Sequence, residues 1–146
     1  MTKLLAAFVI IVVSTVATGT LLAQDLDSGW EAYDSGDYAT ALKIWTPLAE
    51  QGNSQAQGVL GMMYANGEGV SQDFAEAMRW FHKAVEQGHA AAQYGVGKLY
   101  ANGQGVAQDY AKAVKWFRLA AEKGVADANR TRLRIRTWQG CSKELC

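Results

Sequence analysis

Residues 61–88 read GMMYANGEGVSQDFAEAMRWFHKAVEQG and residues 97–124 read GKLYANGQGVAQDYAKAVKWFRLAAEKG. The two strings are one motif displaced by 36 residues. Carried back to its start, the alignment sets 53–88 against 89–124, and 18 of the 36 positions are identical. Self-similarity at such a period signals a stacked-repeat architecture. The frame extends past the pair. Asp37, Ala39, Ala41 and Gly52 stand one period before Asp73, Ala75, Ala77 and Gly88, and Ala128 stands one period after Ala92.

Each unit reads as two helices. Ala56, Leu60, Met63 and Tyr64 recur at i, i+4, i+7 and i+8, one face of a 3.6-residue period, and Ala92, Val96, Leu99 and Tyr100 repeat it. Gly61 and Gly97 flank that face. Glycine inside a helix costs about 1 kcal/mol relative to alanine, so its return in register predicts a close helix approach. Gly67 is placed to end the first helix in the left-handed conformation, and Gly69 lets the loop turn back. Asp73 then opens a second helix, with Glu76 three residues on in a capping-box pattern. Ala77, Phe81 and Ala84 supply its apolar stripe before Gly88 ends it. A single such hairpin cannot bury both apolar faces, so neighbouring units must stack.

The remaining composition narrows the function classes. The chain has 146 residues, 14 Lys plus Arg against 14 Asp plus Glu, and 49% apolar residues, which excludes a disordered solvating chain and any global field toward nucleic acid. Fifteen Gly, one Pro and two Cys exclude collagen-like, disulfide-dense and Cys-rich zinc scaffolds. Lys3, the apolar run Leu4 to Val13 and the small, weakly polar stretch Ser14 to Thr20 follow the order of a secretory signal peptide, with cleavage expected after Ala23. The alternative is an uncleaved anchor, since Leu4 to Gln24 carries no charge. After cleavage no stable membrane insertion is expected.

The string Gly61-x-x-Tyr64-x-x-Gly67-x-Gly69-Val70-x-x-Asp73-x-x-x-Ala77-x-x-Trp80-Phe81-x-x-Ala84-x-x-x-Gly88, with its second copy, resembles the Sel1-like repeat, a longer-looped relative of the tetratricopeptide repeat. The Ser35-Gly36-Asp37-Tyr38 turn looks more like the tetratricopeptide form. The resemblance implies an all-α, short superhelical solenoid of stacked antiparallel α-hairpins. Its parts would be a signal segment 1–23, a tetratricopeptide-like hairpin 24–52, repeats 53–88 and 89–124, and a capping helix with a Cys-bearing tail, 125–146. It also implies a non-catalytic adaptor or regulator, periplasmic or secreted, that binds a protein or peptide on the concave face of the first helices. By analogy with the tetratricopeptide groove, the non-repeated Gln55, Met62, Tyr94 and Lys98 are the candidate binding residues. Two alternatives are a structural envelope component and a small secreted hydrolase of the β-lactamase-like Sel1 type. The relatives behind the second place paired cysteines within each repeat, and residues 24–140 contain none.

Nothing else in the chain marks chemistry. His82 and His89 are the two histidines, neither recurs, and both read as surface residues without a metal-spaced partner. No catalytic residue, metal site or cofactor is expected. The Trp and Tyr residues recur in register and read as packing. Arg130, Arg132, Arg134 and Arg136 alternate with Thr131, Leu133 and Ile135, a basic patch or a solvated capping face. Cys141 and Cys146 in an exported chain are expected to pair within the molecule; an intermolecular bridge or free thiols are the alternatives.

Overall fold

The computed structural model describes residues 25–124. Contacts divide the described residues into two compact units, with the boundary between Ile44 and Trp45, inside a helix. In the first unit, residues 25–34 are helical (α1) and a tight turn leads into α2, Tyr38–Glu50. Asp37 starts α2: its carboxylate accepts from the Thr40 N–H at 3.1 Å, and hydrogen bonds from Thr40 hold its pKa below the usual carboxylate value. Tyr33 packs edge-on against Trp30 and Tyr38, at 5.8 and 5.2 Å between ring centroids.

The second unit contains two antiparallel hairpins. The first is α3 (Ser54–Asn66) with α4 (Phe74–Glu86), and the second is α5 (Ala90–Asn102) with α6 (Tyr110–Glu122). Every helix from α2 to α6 is 13 residues long, so the period of 36 is two helices and their loops. The hairpins stack through contacts of α4 with α5 and α3 with α5. Among the described residues there is no strand, and no helix is long and apolar enough to cross a membrane. This is the all-α repeat solenoid that the period implied.

The loops explain why polar residues recur. Gly67 and Gly103 adopt φ of 73° and 65°, ending α3 and α5 in the left-handed region. Beyond each, the Asp73 and Asp109 N–H groups donate back to the Tyr64 and Tyr100 carbonyls at 2.9 Å. Gln72 and Gln108 brace the same turns, donating to the Ala65 and Ala101 carbonyls. Asp73 caps α4 through the Ala75 and Glu76 N–H groups, and Asp109 caps α6 through Lys112 N–H. The capping box itself does not form. Because the Asp73 N–H is already bound to Tyr64, Glu76 turns outward and pairs with Arg79 at 2.8 Å.

The core follows from the glycines. A Cβ at Gly61 would lie 2.5 Å from Phe81 Cδ1, and one at Gly97 would lie 2.6 Å from Phe117 Cε1, so each ring sits directly on the backbone of its hairpin partner. Phe81 does more. Its opposite edge reaches Gly95 of α5, where a Cβ would be 2.6 Å from Cζ, so one ring fills the contact between successive hairpins. Around these rings Ala56, Leu60, Met63, Ala77, Ala84, Ala92, Val96, Leu99, Ala113 and Ala120 are buried.

A polar relay seals the inner ends of the hairpins. Gln57, buried on α3, donates to the Ala49 carbonyl and accepts from Gln87 Nε2, which also donates to the Gly52 carbonyl. One period later, Lys123 Nζ takes the role of Gln87 and donates to the Gly88 carbonyl at 2.6 Å. Gln93, one period after Gln57, is buried too, but its Oε1 has no hydrogen-bond partner among the described residues, so the relay repeats only in part.

Candidate cleft between the first helices of the two repeats

The period places position 62 of α3 and position 98 of α5 at the same point of successive repeats. Between them lies a half-open cleft of about 350 Å³. Its apolar lining comes from Met62 and Ala65 on α3, Phe74 and Phe81 on α4, and Gly95 and Leu99 on α5. Its polar lining is Asn66, Gln72, Lys98, Asn102 and Gln104. Phe81, seated closely against Gly61 and Gly95, is buried and forms part of the cleft's inner wall.

The amides are half committed. Asn66 donates through Nδ2 to Glu68 Oε1 at 3.1 Å, and Asn102 donates through Nδ2 to Gln104 Oε1 at 3.3 Å. Both side chains are exposed, and no described residue donates to either Oδ1. Lys98 is exposed and has no ion-pair partner among the described residues. No acidic side chain lines the cleft.

Of the four candidate residues, the structure brings Met62 and Lys98 together in this cleft. Gln55 is exposed near the start of α3 and does not line it. Tyr94 is half-buried, with its ring 5.4 Å from Phe117, and it packs the α5–α6 hairpin. Asn66, Asn102 and Gln72 were hidden from sequence reasoning because recurrence marked them as framework, and Gln104 because it stands in a loop beyond the first helix.

The histidines separate. His82 is exposed, edge-on to Trp116 at 6.3 Å. His89 corrects the expectation of a surface residue: it is half-buried and caps α5, its Nδ1 accepting from the Ala92 N–H at 3.3 Å. Asn53, one period earlier, caps α3 through the Ala56 N–H in the same way. The imidazole fits because position 58 is glycine; a Cβ there would lie 2.9 Å from His89 Cε1. Burial lowers the pKa of His89, in keeping with the neutral form that an accepting Nδ1 requires. Among the described residues no group of three or more His, Cys, Asp or Glu is placed to hold a metal ion. Cys141, Cys146, the arginines of 130–136, the capping helix and the signal segment lie outside the described residues.

A model of the Sel1 repeat matches residues 54–89 and 90–125. Among solved structures, a Sel1 repeat protein from Oxalobacter formigenes is 36% identical with a TM-score of 0.67, over 72% of this chain and 43% of its own. The protein c5321, a protective antigen present in uropathogenic Escherichia coli strains and displaying an SLR fold, is 41% identical with a TM-score of 0.68. That match covers 75% of this chain and 24% of the antigen, so the chain spans less than half the length of either relative. Helicobacter pylori cysteine rich protein B is 20% identical with a TM-score of 0.58, over 75% of this chain and 93% of that one, a likeness of fold alone. A comparison with curated proteins finds no match.

Proposed function

The chain belongs to the Sel1 repeat proteins, and from that premise we propose that it is an exported, non-catalytic module that binds a partner protein on the α3–α5 face. The observation that carries the reading is the cleft. It joins half-buried apolar side chains to amide groups and one lysine with no ion-pair partner among the described residues, at equivalent points of two successive hairpins. A pocket with apolar walls and a few placed polar groups is the usual form of a recognition site. The signal-like residues 1–23 put the module in the periplasm or outside the cell. The likeness to a cysteine-rich relative concerns fold, and this chain holds its two cysteines at 141 and 146 rather than in its repeats.

The test is affinity capture from the native cell envelope, with wild-type protein beside a Met62→Asp, Lys98→Glu variant. A stoichiometric partner retained by the wild type and lost by the variant supports the reading. Turnover of a β-lactam by the purified protein, or a partner held equally by both forms, overturns it.

A further inference from the structure

The cleft carries a charge pattern that specifies its occupant more closely. Helices α3 and α5 contain no Asp or Glu, and Lys98 is the only charged residue in the lining. The site therefore offers one exposed cation beside the half-buried apolar side chains of Met62, Ala65 and Phe74. Asn66 and Asn102 stand one repeat apart, both exposed and with no described residue donating to either Oδ1.

An extended peptide meets all three features. Its N–H groups can donate to the two asparagine oxygens, and its alternating side chains point to opposite sides. One side chain packs on the apolar group while its neighbour leans to the lysine. At roughly 3.3 Å per residue, about three residues cross the 8–10 Å that separates packed helices. Met62, flexible and polarizable, adapts the site to aliphatic side chains of different shape.

Resting on the reading of the cleft as the binding site, we propose that its ligand is an extended internal segment of a partner in which an aliphatic residue is followed directly by Glu or Asp. The aliphatic side chain packs on Met62 and Phe74, and the carboxylate pairs with Lys98. Pairing at an exposed rim gives modest affinity and clear discrimination by charge.

The experiment titrates the ¹⁵N-labelled protein with acetyl-Ser-Leu-Glu-Ser-amide, the Gln analogue, the Lys analogue and acetyl-Gly-Ser-Leu with a free carboxylate. The Glu peptide should shift the amide signals of Lys98, Leu99 and Asn102, and bind about fivefold more tightly than the Gln analogue. Raising the salt should shrink that preference, and Lys98→Met should abolish it without changing the melting temperature. Equal binding of the Glu, Gln and Lys peptides, preference for the free carboxylate, or shifts confined to another face overturns the proposal. If any of these results comes together with a captured partner that the Met62→Asp, Lys98→Glu variant loses, the ligand chemistry fails and the cleft stands as the binding site.

Discussion

At the scale of single residues, the positions that matter most are those where a side chain is missing. Gly61 and Gly95 hold the two edges of the Phe81 ring, and a methyl group at either site would sit within 2.6 Å of it. Gly61→Ala or Gly95→Ala should therefore destabilise the protein by roughly 1–3 kcal/mol, read as a lower denaturation midpoint with an unchanged m-value. An unchanged midpoint would show that the ring can move aside. His89 supplies a residue-scale prediction about pH. Its pKa is lowered in the folded state, so the unfolded chain binds the proton first. Stability is full above about pH 6.5 and declines as the pH falls through the folded-state value. His89→Asn, copying Asn53, should flatten the stability profile between pH 7 and pH 5. The lowered pKa of Asp109 acts at lower pH, because its hydrogen bond from Lys112 N–H is lost only when the carboxylate protonates.

At the scale of the element, each helix is set by its ends more than by its interior. The α3–α4 loop closes on itself through the Asp73 N–H, and the Asp73 carboxylate starts α4. Asp73→Ala should cost about 1 kcal/mol, while Glu76→Ala should cost much less, since Glu76 only meets Arg79 on the surface. Thermal unfolding of the two variants checks this, and equal losses would restore the capping-box reading. The relay through Gln57 and Gln87 is an element-level device too, fastening the ends of α2 and α4 to the start of α3.

At the scale of the whole molecule, export and the cysteine pair belong together. An exported chain should lose residues 1–23, and an oxidising compartment should join Cys141 to Cys146. Intact mass of protein from the native envelope should match a chain starting at Gln24 and two hydrogens lighter than its reduced form. Full-length, membrane-retained protein would favour the anchor, and thiol labelling of both cysteines would exclude the bridge.

The period of 36, the two helices per unit, the left-handed glycines and the aspartate caps were all legible in the sequence. Each is local: a 3.6-residue stripe, a glycine at a helix end and an acid at a helix start act on neighbours a few residues away. Recurrence then doubled every such signal. Three things were decided only by the tertiary structure. Glu76 lost its capping partner because Tyr64, nine residues back, claims the Asp73 N–H. His89 became half-buried because a glycine on another helix makes room for it. The cleft exists because Phe81 reaches across to Gly95, setting Met62 and Lys98 on either side of one opening, while Tyr94 turned to Phe117. The physical reason is the same in each case. Backbone donors, interior volume and side-chain direction are claimed by groups distant in sequence, and a pattern read along the chain carries no record of which distant group arrives first.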